Sequence, residues 1–206
     1  MWWQQRLSEF VTLFLVINPF DALPTFMEIA AKLHPRAQRR LAIQAIVISF
    51  VVLVFFVIAG AFVLEHMGVS IRGFQIAGGI LLFVIALDMI RGNSHASGHG
   101  KEQGSMALAV YPLAIPKIAG PGAMLTAVLV TDDDRFNLAG QMATVGMIAL
   151  VLLAALLILL AAGPISRLIG TAGVSVISRV MGMLLAALAV TLVLGAVSDW
   201  LSLPKL

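Results

Sequence analysis

Residues 10–31 read FVTLFLVINPFDALPTFMEIAA, and residues 106–131 read MALAVYPLAIPKIAGPGAMLTAVLVT. Both stretches have the length and apolar character of a membrane-spanning helix, which needs about 20 residues. Both are also interrupted near the middle by proline and one charged residue. Because proline lacks an N–H and clashes with the preceding turn, we predict helices that are broken near the bilayer midplane, at residues 19–24 and 116–122.

Four further segments are apolar enough to span a bilayer. They are residues 41–64, 71–87, 139–165 and 180–197, and three of them carry no charged residue. Of the whole chain, 61% is hydrophobic and 11% is charged, whereas a soluble domain carries roughly 25% charged residues. The sequence therefore predicts an all-α membrane protein with six transmembrane helices, of which helices one and four are broken.

The prolines of the two broken segments are related by a single offset along the chain. Pro19 and Pro24 lie 97 residues before Pro116 and Pro121. This regular offset indicates an internal repeat. The alternative is chance similarity between two apolar sequences.

A second match supports the repeat. The string AGGILL at residues 77–82 resembles VMGMLL at residues 180–185, at an offset of 103. We interpret Gly78, Gly79 and Gly182 as packing residues, since a missing side chain lets two helices approach closely.

The repeat divides one transmembrane domain, residues 1–206, into two halves. Repeat one covers about residues 7–91, a predicted flexible loop covers residues 92–105, and repeat two covers about residues 106–201. Because each half has three spans, the second must enter the bilayer from the opposite side. Such inverted repeats are typical of secondary transporters.

The positive charges favour one face of this topology. Seven Lys and Arg residues lie on one predicted face and four on the other. They are Lys32, Arg36, Arg39, Arg40, Arg91, Lys101 and Arg167 against Arg6, Arg72, Arg135 and Lys205. The positive-inside rule therefore places both termini outside the cytoplasm. A nucleic-acid surface is disfavoured, because the basic cluster is a short connection between spans.

Unwound backbone at bilayer depth must be buried in protein or line a cavity, so we predict a polar pocket between the two breaks. The predicted substrate-binding residues are Asn18, Pro19, Phe20, Asp21, Ala119, Gly120, Pro121 and Gly122. Pro24 and Pro121 are predicted to begin the second half-helices, whose N–H groups attract a carboxylate. A zwitterion suits this pocket, although an anion or a cation is not excluded. The alternative is that the prolines only kink packed helices.

Charged residues in the spans are candidates for coupling or gating. Asp21 and Lys117 are predicted to lie near the midplane on opposite breaks. Whether they pair is left open by the sequence; a pair would be either a coupling site that substrate or a proton loosens or a static ion pair. Asp88 and Arg179 share one leaflet, which allows a gating salt bridge. The alternative for Arg179 is that its side chain extends to the lipid headgroups.

Several chemistries find no support in the sequence. There is no Cys, no His or carboxylate cluster with metal-ligand spacing and no phosphate-binding loop. His95 and His99 fall in the predicted flexible loop, and residues 132–134 form an acidic run that we assign to a solvated connection. We therefore expect no metal, no cofactor and no enzymatic activity.

The chain resembles the MarC family of inner-membrane proteins, which includes SnatA-type transporters of small neutral amino acids. The resemblance rests on Asn18, Pro19 and Pro24 and on the strings IAGG (76–79), PLAIP (112–116), AGPG (119–122) and ISRVMG (177–182). It implies a two-repeat transporter of glycine, alanine or similar amino acids, coupled to protons, in a bacterial inner membrane. Asp21 replaces the family's usual glycine, and Lys117 stands where an uncharged residue is common.

These observations lead to one functional prediction with two alternatives. We predict a secondary transporter that moves a small neutral amino acid through the lipid bilayer by alternating access, in either direction. The alternatives are a non-transporting membrane scaffold or regulatory protein, and an exporter of another small solute. No oligomeric state is predicted.

Overall fold

The computed structural model describes residues 2–92, 108–132 and 138–201. These ranges contain helices and no strand, which confirms the all-α prediction. The helices are α1 (Trp2–Ile17), α2 (Pro19–Ala30), α3 (Pro35–His66), α4 (Ile71–Arg91), α5 (Ala109–Ile118), α6 (Pro121–Asp132), α7 (Leu138–Leu160) and α8 (Ala162–Leu201). The predicted flexible loop lies outside the described residues from position 93 onward, as do His95, His99, Asp133 and Asp134.

Within the described ranges, five helices are long and apolar enough to cross a membrane, or six when a bent pair is counted as one span. The five are Arg6–Ala30, Pro35–His66, Ile71–Arg91, Ala139–Leu160 and Ala172–Leu201, and the bent pair is Ala109–Ile118 with Pro121–Thr131. These spans agree with the six predicted segments.

The fifth predicted span was drawn too long. α7 ends at Leu160, and Pro164 already lies in the first turn of α8. Proline is tolerated there, because an N–H in the first turn has no acceptor within the helix. Gly170, with a φ of 65°, divides α8, because this left-handed conformation does not fit a continuous helix.

The first break is much shorter than predicted. Asn18 alone leaves helical geometry, with φ 41° and ψ 74°, and α2 begins at Pro19. The prediction that residues 19–24 unwind and that Pro24 begins the second half-helix was therefore wrong, since Pro24 lies inside α2. Asparagine is one of few residues that tolerate the left-handed region, and one such residue is enough to interrupt the helix.

The second break is wider. α5 is a π-helix that ends at Ile118 and in which Tyr111 and Ile115 leave helical geometry. The prediction of an unwound stretch that begins at Pro116 was therefore also too long. Pro121 begins α6, as predicted, and α5 and α6 meet at a bend of 54°. Ile115, which stands 97 residues after Asn18, also leaves helical geometry, with φ −124° and ψ 124°. Asn18 and Ile115, which are 97 positions apart, therefore both leave helical geometry, whereas the inverted repeat stays a prediction.

Two glycines hold α4 against α8. A Cβ atom at Gly79 would lie 3.1 Å from the carbonyl oxygen of Ala189, and one at Gly182 would lie 2.9 Å from Cβ of Met89. Both distances are tighter than ordinary van der Waals contact, so any side chain would push the helices apart. The packing role predicted for these glycines is confirmed.

The apolar core has two parts. The larger cluster contains buried residues of α1–α3 and α5–α8, among them Ile17 and Ala123. The smaller cluster joins α4 to α8 and includes Leu82, Met89 and Leu185. A cavity lies where these two clusters meet.

Candidate functional site

A cavity of about 340 Å³ lies between the two helix breaks. Its volume is at the lower end of the range for small-molecule sites, about 300–1,000 Å³. The lining residues are Val16, Ile17, Asn18, Asp21, Leu82, Ile85, Asp88, Met89, Pro116, Lys117, Gly120, Pro121, Gly122, Ala123 and Leu185. Both halves of the chain therefore contribute to one chamber.

Five of the eight residues predicted to bind substrate line this cavity. They are Asn18, Asp21, Gly120, Pro121 and Gly122. Pro19 and Ala119 are buried elsewhere, and Phe20 packs edge-on against Phe14, with ring centroids 6.5 Å apart. The structure therefore brings together the residues that border the breaks and leaves out those that pack into the core.

Asp21 and Lys117 form an ion pair across the cavity wall. The Nζ atom of Lys117 donates a hydrogen bond to Oδ2 of Asp21 at 2.7 Å. Both side chains are about one-sixth exposed, at 17% for Lys117 and 16% for Asp21. Asp21 lies in the first turn of α2, where a carboxylate complements the positive end of the helix dipole. This ion pair therefore links α2, in the first half of the chain, to α5, in the second half.

Asn18 is held by its backbone on both sides. Its N–H donates to the carbonyl oxygen of Phe14 at 3.0 Å, and its own carbonyl oxygen accepts from the N–H of Asp21 at 3.0 Å. Its side-chain Nδ2 contacts Sδ of Met89 at 3.6 Å. Its Oδ1 atom is buried and has no hydrogen-bond partner within the part of the chain that the structure describes. An unsatisfied buried acceptor costs about 1–3 kcal/mol, so this atom favours a donor.

The N-terminus of α6 forms another part of the wall. Pro121 is its first residue, and the carbonyl oxygen of Gly120 accepts from the N–H of Met124 at 3.0 Å. The N–H groups of Gly122 and Ala123 have no acceptor within the helix, because the first four amides of a helix lack one. Such a terminus favours an anionic group.

Both glycines of this turn lie close to neighbouring atoms, and Gly120 is the stricter position because its neighbour is backbone. A Cβ atom at Gly120 would collide with the carbonyl oxygen of Pro116, and one at Gly122 would collide with the side chain of Leu82. The AGPG string therefore keeps the backbone close to α4 and lets its amide groups approach the cavity.

The sequence analysis missed the contribution of α4. Leu82, Ile85 and Met89 line the cavity, and their i, i+3, i+7 spacing is that of one helix face, which was the available signal. Asp88 also lines the cavity, although we had placed it at a gate with Arg179.

No ion pair joins Asp88 to Arg179 in the described ranges. Arg179 is exposed, and a Cβ atom at Gly92 would lie 3.0 Å from one of its terminal guanidinium nitrogens. Arg179 therefore sits at the C-terminal end of α4, where a positive charge complements the helix dipole. The Asp88–Arg179 salt bridge that the sequence allowed is therefore not formed among the described residues, and a gating role for Arg179 stays a prediction.

The model of MarC family integral membrane proteins matches residues 3–201. The chain belongs to the MarC family. Its breaks, its glycines and its cavity are thus features of a MarC-family integral membrane protein, and the resemblance inferred from the sequence is confirmed.

Similar MarC-family relatives come from archaea and bacteria. A UPF0056 membrane protein of Methanocaldococcus jannaschii is 34% identical over 94% of this chain and 96% of its own length. A UPF0056 membrane protein of Aquifex aeolicus is 32% identical, with coverage of 94% and 92%. The UPF0056 inner membrane protein YhgN of Escherichia coli is 31% identical, with coverage of 95% and 97%. No solved structure matches this MarC-family chain.

Proposed function

We propose that the chain is a secondary transporter that moves a small neutral amino acid, of the size of glycine or alanine, across a bacterial inner membrane by proton-coupled alternating access. The observation that carries this proposal is the cavity of about 340 Å³ between the two helix breaks. Interrupted helices at the interface of two repeats are the usual location of a transporter's substrate site.

The chemistry of the walls favours a zwitterion. Lys117 and the amides of the first turn of α6 supply positive charge and N–H donors for a carboxylate. Ile17 ends α1, and the C-terminus of a helix carries partial negative charge, which suits an ammonium group. Leu82 and Leu185 supply apolar wall and favour a small, uncharged side chain.

The inner-membrane location draws on one named relative and on the charge pattern. YhgN of Escherichia coli is described as an inner membrane protein. The excess of Lys and Arg on one predicted face supports a topology with both termini outside the cytoplasm. A transporter of this kind needs no metal, cofactor or catalytic group.

Flux into proteoliposomes tests the proposal. Purified protein is reconstituted, and uptake of radiolabelled glycine and alanine is measured with and without an imposed pH gradient. We expect saturable uptake that the gradient accelerates, and at least a tenfold loss in Asp21→Asn, because Lys117 then loses its counter-ion in the cavity wall.

Glu9→Gln is the matched control. Glu9 pairs with Arg6 at 2.8 Å in α1 but does not line the cavity, so this variant also loses one carboxylate of an ion pair. We expect it to keep its uptake. Folded wild-type protein without saturable uptake of any amino acid would support the scaffold alternative, and uptake of another solute alone would identify a different substrate.

A further inference from the structure

The ionisable side chains that line the cavity do not balance in charge. They are Asp21, Asp88 and Lys117, so two carboxylates and one ammonium leave a formal charge of −1. Asp21 and Lys117 neutralise each other at 2.7 Å. In the ranges that the structure describes, no ion pair reaches Asp88.

An unpaired carboxylate inside a membrane-spanning segment is costly, and such residues mark sites for ions or substrates. Arg179, the cation that the sequence offered as a partner, lies beside Gly92 instead. Asp88 therefore offers the cavity a carboxylate with which a bound cation can pair.

A second acceptor lies in the same wall. Asn18 lines the cavity, and its buried Oδ1 has no partner among the described residues. Its Nδ2 contacts Sδ of Met89, the residue that follows Asp88 in α4. This contact ties the Asn18 side chain to the turn of α4 that carries the carboxylate.

We propose that Asp88 and Asn18 form the subsite for the substrate's ammonium group, and that this subsite makes the cavity selective for amino acids over hydroxy acids. The inference rests on the transport function proposed above. An ammonium group has three N–H donors, whereas a carboxylate and an amide oxygen are acceptors. The carboxylate of the substrate then lies toward Lys117 and the amides of Gly122 and Ala123.

A comparison of glycine with glycolate tests this assignment. Glycolate has the same carboxylate but a hydroxyl group in place of the ammonium group. Binding to purified protein is measured by titration calorimetry, and glycine exchange is measured in proteoliposomes. For the wild type we expect glycine to bind and glycolate to compete weakly, because Asp88 repels an anion.

Three variants probe the subsite. Asp88→Asn should raise the Kd for glycine about tenfold or more, since hydrogen bonds to charged groups are the strong ones, and should narrow the preference for glycine over glycolate. Asp88→Glu should keep that preference. Asn18→Gly, which accommodates the left-handed backbone, should also weaken glycine binding. Asp199→Asn, an exposed position on α8, is the control and should match the wild type.

The possible results separate this inference from the transport proposal. Wild-type flux of glycine together with an unchanged Kd and unchanged selectivity in Asp88→Asn would overturn the subsite alone. An unchanged Kd with loss of pH-driven accumulation would make Asp88 the carrier of the coupling proton and would also overturn it. Wild-type protein that neither binds nor moves an amino acid would overturn both. If Asp88→Asn elutes as an aggregate, the subsite is tested by two other measurements, which are the Kd for glycine in Asn18→Gly and the wild-type preference for glycine over glycolate. An unchanged Kd in Asn18→Gly together with equal binding of glycine and glycolate by the wild type would overturn the subsite.

Discussion

The Nζ atom of Lys117 lies 2.7 Å from the Oδ2 atom of Asp21, so that one ion pair joins the two helix breaks. The two residues belong to different halves of the chain and are 96 positions apart. Removal of either side chain leaves the other charge without its partner in a poorly solvated wall.

This arrangement predicts a non-additive stability change. Lys117→Met should lower the free energy of unfolding by about 3 kcal/mol, the low end for breaking a buried pair, because each side chain is still about one-sixth exposed. The double variant Asp21→Asn with Lys117→Met should recover most of that loss. Thermal unfolding in detergent measures both, and equal losses in the single and double variants would contradict the prediction.

The close approach at Gly120 predicts intolerance of any side chain. Gly120→Ala should destabilise the protein by about 1–3 kcal/mol, as expected for an overpacked site, because the new Cβ collides with the carbonyl oxygen of Pro116. Gly146→Ala is the control, since nothing lies within 4 Å of a Cβ atom there. It should be neutral or slightly stabilising. Similar melting temperatures for the two variants would refute the close packing at Gly120.

The contact between α4 and α8 predicts a second glycine effect. Gly79→Ala should move α8 away from α4, because its Cβ would meet Val193 Cγ2 at 2.7 Å. We expect a lower melting temperature and a reduced rate of uptake. Gly195→Ala on α8 is the matched change, because the atom nearest to its Cβ among the described residues outside its own helix backbone would be Gln75 Nε2, at 4.0 Å. Cysteine crosslinking across α4 and α8 would report the displacement, and unaltered crosslinking would argue against it.

The backbone at Asn18 predicts an order among substitutions. Asn18→Gly and Asn18→Ala both remove the amide group, but glycine adopts a φ of 41° at little cost. The alanine variant should therefore be less stable by about 1 kcal/mol. Unfolding curves in the same detergent measure the difference. An alanine variant as stable as the glycine variant would mean that the break can relax to ordinary helical geometry.

The six spans and the existence of both breaks were predictable because they depend on local properties, whereas the bounds of the breaks were not. Apolar length alone marks a span, and proline is disfavoured in a helix interior but tolerated in the first turn. Pro121 was placed correctly at the start of α6 for this reason. The same rule failed for Pro24, since proline in a helix can be tolerated when a nearby residue, here Asn18, has already redirected the chain.

The cavity was only half predictable. The sequence identified Asn18, Asp21, Lys117 and the AGPG string as candidates for the pocket, but it did not identify Asp88 as one. We estimated the depth of Asp88 in the membrane from its position in the third apolar segment. Its location in the cavity depends instead on how α4 packs across the two breaks. That crossing is set by long-range packing, which no local pattern records.

Pro24 affects the part of α2 that positions Asp21. It lies inside α2 and has no N–H to donate to the carbonyl oxygen of Phe20, so the helix is weakened there. Together with Asn18, it flanks a short rigid piece, residues 19–23, about 7 Å long at 1.5 Å per residue. Ala22 and Leu23 of this piece are fully buried, so the core fixes its position and thereby holds the Asp21 carboxylate beside Lys117.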